Sequence, residues 1–236
     1  MFLNIIQMLL DIFFPRRCPI CDEPLKPGGI LACPPCLKRV SYLTEPTCLK
    51  CGKKIAETAE FCGDCSARSH HFDRGIALFD YQSIAGAIYR FKYKGRQEYA
   101  EFFGAEISKR LGADILKLKP DCLVPVPIHK RRLNSRGYNQ ATELAKVISR
   151  HLEIPYDDKL MKRVQATIPL KSLKLKERQN NLKKAFKIVR NDVKLDRVVI
   201  IDDIYTTGST IDAMADEFKR IGVSKVYFVA LSIGSQ

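Results

Sequence analysis

Apolar positions run along this chain in three rhythms. The first fourteen residues, MFLNIIQMLLDIFF, are nearly all apolar, and their polar members Asn4, Gln7 and Asp11 fall at i, i+3 and i+7. That spacing leaves one narrow polar stripe on an amphipathic helix over 1–14. Such a helix docks on the protein's own body, or else meets a membrane surface or a partner. It is too short to span a bilayer. It also lacks the basic leader and small-residue cleavage site of a signal peptide, so a cytoplasmic location is the expectation. Residues 15–70 show no long apolar period. From residue 71 to 236, short β-rich runs alternate with helical ones: GIALFDY, EYAEFFGAEISKRL, CLVPVP, YNQATELAKVISRHL, FKIV, RVVIID, TIDAMADEFKRI and KVYFVAL. Runs such as VVII and VYFVAL read as strands buried on both faces. Their alternation with helices predicts an α/β domain with a parallel sheet and crossover connections.

The aperiodic segment 15–70 is held together by other means. It contains eight of the nine cysteines, as Cys18/Cys21, Cys33/Cys36, Cys48/Cys51 and Cys62/Cys65. All four pairs are spaced C-x2-C, and no longer repeat is visible in the letters. A module this small cannot support itself on apolar burial alone. Two thiolates from one tight turn can face a single metal, and two such turns complete a tetrahedral S4 site. Eight ligands therefore imply two structural zinc ions. Disulfides would need an export route, and a thioredoxin-like motif needs one pair at a helix start rather than four in series. Sequential pairing closes the shorter loops, with a cross-brace as the alternative. The ninth cysteine, Cys122, sits in an apolar run and reads as core.

Charge adds a direction. With 40 Lys and Arg against 26 Asp and Glu, the chain carries a net +14, which favours polyanionic partners such as nucleic acid or phosphorylated metabolites.

The most informative segment is RVVIIDDIYTTGST. Arg197–Ile201 is a buried strand with Asp202 and Asp203 at its carboxyl end, where open α/β sheets bind ligands. Thr206, Thr207, Gly208, Ser209 and Thr210 follow and open a helix. Small hydroxylated residues around one glycine at a helix N-terminus make an anion site. Acids beside it make sense for a ligand that also carries neighbouring hydroxyls, as ribose 5-phosphate does. This string resembles the phosphoribosyl-diphosphate (PRPP) motif of type I phosphoribosyltransferases. The resemblance implies that Asp202 and Asp203 hold the ribose hydroxyls and that Thr206–Thr210 hold the 5-phosphate.

PRPP also carries a diphosphate and Mg²⁺, so a second anion-binding element is expected after an earlier strand. DCLVPVPIHKRRLNSRGYNQ supplies one: a strand end at Asp121–Pro125, then Lys130, Arg131, Arg132 and Arg136. The likeness implies diphosphate contacts here, with an unusual peptide conformation near Val126–Pro127. From Lys162 to Lys187 there are nine Lys or Arg against one Glu, placed where that family carries a mobile lid. A lid keeps water from a cation-like transition state.

The order of motifs narrows the likeness. Four CxxC pairs are followed by FKYKGR, then PVP-x-H-x-x-R-x-x-x-RGYNQ, then R-x-x-x-T…L-x-x-x-x-R-x-x-N-x-x-x-AF, then the phosphate loop. This resembles the ComF family of competence proteins over nearly the whole chain. Matching positions are Lys92, Arg132, Arg136, Asn139, Gln140, Arg163, Thr167, Leu173, Arg178, Asn181, Ala185 and Phe186. One departure is Leu170, where the family carries Gln. The resemblance implies a phosphoribosyltransferase domain after a double zinc ribbon, Mg²⁺ with PRPP, and a part in DNA uptake beside proteins such as a ComF-type helicase. Two activities fit: phosphoribosyl transfer to an unidentified acceptor, or single-stranded DNA binding by an accessory factor regulated by PRPP. In the second, Tyr89–Arg90–Phe91–Lys92–Tyr93–Lys94 could stack bases, or could equally be the core face of a helix.

Overall fold

The computed structural model describes residues 15–26, 28–164, 185–190 and 194–234. The expected helix over 1–14 lies outside them, as does the middle of the lid. Two single-turn helices, α1 (Pro34–Leu37) and α2 (Gly63–Ala67), belong to the Cys-rich module. The larger domain then runs β1 (Arg74–Asp80), α3 (Tyr81–Tyr93), α4 (Tyr99–Lys117), β2 (Cys122–Pro125), α5 (Lys130–Arg136), α6 (Gln140–Leu152), β3 (Met161–Arg163), β4 (Phe186–Ile188), β5 (Arg197–Tyr205), α7 (Ser209–Arg220) and β6 (Lys225–Ile233).

Four strands form a parallel sheet in the order β1-β6-β5-β2. Val198–Ile201 on β5 are fully buried, as strands covered on both faces must be. One face packs α3, α4 and α6 through Ile84, Ile88, Phe103, Ile107, Leu144 and Ile148. The other packs α7 through Ile211, Met214 and Phe218. FKIV departs from the expectation: it is not in the parallel sheet. As β4 it pairs antiparallel with β3 in a separate two-stranded ribbon, Lys162 opposite Lys187. With Phe186 buried and Lys187 exposed, β4 has one wet face, unlike β5. Among the described residues no helix is long and apolar enough to cross a membrane.

The Cys-rich module covers the free edge of β1. Leu43 N–H donates to Leu78 O at 2.9 Å, Gly75 N–H to Lys50 O at 2.8 Å and Asp80 N–H to Ser41 O at 2.9 Å. An exposed strand edge is thereby closed.

Candidate functional site

The eight paired thiols gather into two groups: Cys18, Cys21, Cys33 and Cys36, and Cys48, Cys51, Cys62 and Cys65. Sulfurs within each group lie within 4.8 Å of one another. Cys21 and Cys33 Sγ are 3.8 Å apart, and Cys51 and Cys62 Sγ 3.7 Å. A zinc–sulfur bond of about 2.3 Å in a tetrahedron places sulfurs about 3.8 Å apart, whereas a disulfide needs about 2.05 Å. The geometry fits two structural zinc ions paired in sequence, and the cross-brace is not formed. In each group the third cysteine, Cys33 or Cys62, stands at the N-cap of a helical turn. Burial raises Cys18 and Cys48, but backbone N–H groups outweigh it and hold both near 7. Burial and crowding push Cys36 and Cys51 up to about 12. Full ionisation of each quartet thus calls for a cation among the sulfurs.

The acidic pair and the hydroxyl loop sit at the carboxyl edge of the sheet. β5 continues past the acids, with Asp202 opposite Ala230 and Tyr205 opposite Ile233. Gly208 follows in the left-handed region at φ 78° and caps α7. A Cβ there would fall 2.7 Å from Tyr205 Oη and 2.9 Å from His70 Cε1, so both backbone shape and space require glycine. Thr207 and Ser209 hydroxyls lie 3.0 Å apart. The first N–H groups of α7 have no intrahelical acceptor, so hydroxyls, amides and dipole share one small volume.

Asp203 pairs with Lys92 Nζ at 2.8 Å. Lys92, one of the positions matching the family, thus neutralises an acid of the loop. Burial, reinforced by the neighbouring Asp203 charge and opposed by Lys92, pushes Asp202 up to about 7. Burial, together with the Arg132 charge, lowers Arg163 against the pull of Asp202. The lid's stem therefore stands next to the acids. Arg178, Thr167, Leu170, Leu173 and Asn181 lie outside the described residues, so the lid is seen only at its stems β3 and β4.

Lys130–Arg136, read from sequence as a loop, is helix α5. His129 Nδ1 accepts from Arg131 N–H at 3.2 Å, and Gly137 at φ 86° ends the turn. Good helix formers between two such stops suffice for a short helix. Lys92, Tyr93, Arg131, Arg132, Ser135 and Arg136 line a cleft of about 440 Å³. Val126 is buried, and its carbonyl accepts from Asn139 Nδ2 at 3.0 Å. The cis peptide among the described residues is Glu45–Pro46, and the Val126–Pro127 bond is trans. On α3 the two readings of the aromatic run divide. Phe91 is fully buried, whereas Tyr89 and Tyr93 are 54% and 63% exposed. Arg136 lies over the Tyr93 ring at 5.1 Å.

Further residues support the loop from behind. His70, whose side chain is fully buried, has its Nδ1 2.8 Å from Asp212 Oδ2, and the other Asp212 oxygen accepts from His71 N–H at 2.9 Å. Tyr205 stacks on Phe228 at 4.6 Å. Burial pushes its hydroxyl up, followed by the nearby thiolates of Cys51 and Cys65 and by Asp212. The second thiol group is therefore a close neighbour of the hydroxyl loop.

Comparison with known proteins agrees with this arrangement. A family model described as "Double zinc ribbon domain" matches residues 9–66, and one described as "Phosphoribosyl transferase domain" matches 133–233. The chain is 31% identical to Competence protein F of Haemophilus influenzae, covering 91% of this chain and 95% of that one. It is 30% identical to the DNA utilization protein YhgH of Escherichia coli, covering 90% and 94%. It is 27% identical to Competence protein ComFC of Bacillus subtilis, covering 76% and 74%. Among solved structures, a hypoxanthine phosphoribosyltransferase from Staphylococcus aureus aligns with a TM-score of 0.34 at 15% identity, over 55% of this chain and 62% of that one.

Proposed function

The chain belongs to the ComF family of competence proteins, and from that premise we propose that it binds PRPP with Mg²⁺ at the carboxyl end of β5 and serves DNA uptake or use. The supporting observation is the union of two acids, Asp202 and Asp203, with the Gly208 loop at the start of α7. The loop would take the 5-phosphate and the acids the ribose hydroxyls. Lys92, Arg132 and Arg136 would take the diphosphate, alongside the turn at Val126 and Pro127. Arg163 and Arg178 would close over it. A Mg²⁺ arriving with PRPP suits an acidic pair in which burial, and then repulsion from Asp203, raises Asp202, and its charge would help diphosphate depart. The chemistry that such a site supports is displacement at the ribose anomeric carbon, where positioning and charge stabilisation carry the rate.

The test is a paired titration. Asp202→Ala with Asp203→Ala should weaken PRPP at least about tenfold, since charge-assisted hydrogen bonds are worth roughly 1.5–3 kcal/mol each. Sulfate binding should be largely retained. Parent-like PRPP affinity in that variant overturns the assignment.

A second reading, single-stranded DNA binding by an accessory factor, is favoured by exposed Tyr89 and Tyr93, whose ring centroids are 5.3 Å apart. Bases can stack on such rings beside cations. Affinity should fall steeply with salt. It should also drop with Tyr89→Ala and Tyr93→Ala, and with neutralisation of Lys171, Lys174 and Lys176. If none of these changes alters binding, this surface and the lid are not the DNA site.

A further inference from the structure

Helix α3 ends at Tyr93, and its outward face carries two aromatic rings in water. Tyr89 and Tyr93 stand one turn apart on that face, while Phe91 between them is buried. The two rings are tilted by 45° to each other. Lys94, just past the helix end, is exposed.

This aromatic pair runs into a cationic cleft, because Tyr93 belongs to both. With Lys92, Arg131, Arg132 and Arg136 it lines the cleft of about 440 Å³. The Arg136 guanidinium lies over its ring. Lys92 is met by the Asp203 carboxylate. Arg136 is engaged by the neutral side chain of Gln140 instead, and Arg131 and Arg132 are exposed. Burial, and then the Arg132 charge, lowers Arg163, so α5 and the stem of the lid present like charges to one edge. A diphosphate would satisfy these cations, but it has no flat face to lay on Tyr89, which lies outside the cleft lining. A chain in which flat rings alternate with phosphates satisfies both halves: the rings stack on the tyrosines, and the phosphates meet the arginines. A single strand offers its base faces in this way, whereas a duplex hides them in its own stack.

Resting on the PRPP reading and the single-strand reading above, we propose that the two ligands share one set of cations: a DNA strand stacked on Tyr89 and Tyr93 lays a backbone phosphate in the cleft of Arg131, Arg132 and Arg136, so that single-stranded DNA and PRPP exclude each other. The exclusion is direct. Both ligands need the same guanidinium N–H donors, and a second polyanion in the cleft meets the charge of the first. PRPP then releases the strand, and a bound strand deprives the ribose site of its diphosphate anchors. The coupling is negative, and by linkage each ligand weakens the other by the same factor.

A fluorescein-labelled oligodeoxythymidylate is titrated with the zinc-loaded full chain at fixed salt and Mg²⁺, read by anisotropy, over a series of PRPP concentrations. Its apparent Kd is expected to rise in proportion to PRPP without levelling off, and sulfate at matched ionic strength should not reproduce the rise. Tyr89→Ala should weaken the oligonucleotide about tenfold and leave calorimetric PRPP affinity at the parent value. Arg131→Gln with Arg132→Gln should weaken both ligands about tenfold or more, with zinc content and melting temperature retained. An apparent Kd that levels off or does not move means that both ligands bind at once; this overturns the shared cleft and leaves the two binding readings standing. A chain that binds no oligonucleotide overturns the single-strand reading, and one that binds no PRPP overturns the PRPP reading; the shared cleft falls with either. Tighter binding of oligouridylate than of oligodeoxythymidylate overturns DNA as the partner.

Discussion

The two zinc ribbons share a backbone and differ in what they hold. Cys18 and Cys21 recur as Cys48 and Cys51 at an offset of 30 residues. In the first, Cys18 N–H donates to Glu23 O at 2.9 Å and Asp22 N–H to Cys18 O at 2.8 Å. In the second, Cys48 N–H donates to Lys53 O at 2.7 Å and Gly52 N–H to Cys48 O at 2.8 Å. The residue after the second cysteine is left-handed in both, Asp22 at φ 65° and Gly52 at φ 77°. Yet Asp22 has room for a side chain, which Arg96 and Tyr99 engage. Gly52 has none, because a Cβ there would lie 3.0 Å from Gly75 O and Ile76 Cα on β1. The first ribbon also takes Arg90 of α3, whose guanidinium donates to Ile20 O at 2.6 Å, two residues before Lys92. The second packs beside Tyr205 and Phe72. One repeated fold thus braces the Lys92 helix on one face of the sheet and the Gly208 loop on the other.

Breaking each ribbon separately should produce the largest contrast. Cys48→Ser with Cys51→Ser removes a zinc site whose binding energy is folding energy, and it strips cover from Phe72 and Phe228. Loss of sulfate binding and a large drop in melting temperature are expected. Cys18→Ser with Cys21→Ser should spare sulfate binding and weaken diphosphate, whose proposed site includes Lys92. Equal loss of both anions in the two variants, with zinc content measured, would dissolve the contrast.

A finer probe lies at the paired left-handed positions. Gly52→Ala combines a left-handed penalty with a steric shift against β1 and should cost about 2–4 kcal/mol by denaturant unfolding. Asp22→Gly keeps the backbone and loses hydrogen bonds, for about 1–2 kcal/mol. The reverse order would show that the second ribbon does not press on β1 as described. His70→Ala should cost about 1–2 kcal/mol by leaving Asp212 without its buried partner, and should weaken sulfate with both zinc ions retained. Unchanged sulfate affinity would mean that His70 does not shape the loop.

One effect has the opposite sign. Burial, reinforced by the Asp203 charge, pushes the Asp202 carboxyl up to about 7 in the folded chain, above its ordinary value of 3.8. The advantage of its protonated form is present below the unfolded value and is lost as pH rises towards 7. Asp202→Asn should therefore stabilise the protein above pH 7, with little change at pH 4. A flat comparison across pH would contradict the burial of that charge.

Features contiguous in the chain are legible without the fold. The four CxxC pairs announce two metal sites, and Ile201–Thr210 carries its strand end, acids and glycine loop in one string. What escapes depends on distance along the chain or on backbone shape. His70 and Asp212 lie 142 positions apart, and no spacing joins them. The ribbon repeat rests on φ angles at Asp22 and Gly52, two residues with no chemical likeness. FKIV looks like its neighbours in an alternating series, and only its one wet face separates it from the buried strands. The exposure of Tyr89 and Tyr93 beside buried Phe91 follows from helical phase, which a short aromatic run leaves open.

The most direct measurement is a calorimetric titration of PRPP into the zinc-loaded chain, with and without Mg²⁺, beside ribose 5-phosphate and inorganic diphosphate. One PRPP per chain is expected, bound tighter than either fragment and markedly weaker without Mg²⁺, because the phosphate loop and the cationic cleft act on one ligand. PRPP binding no tighter than diphosphate alone would contradict the account and reduce the site to a general anion surface.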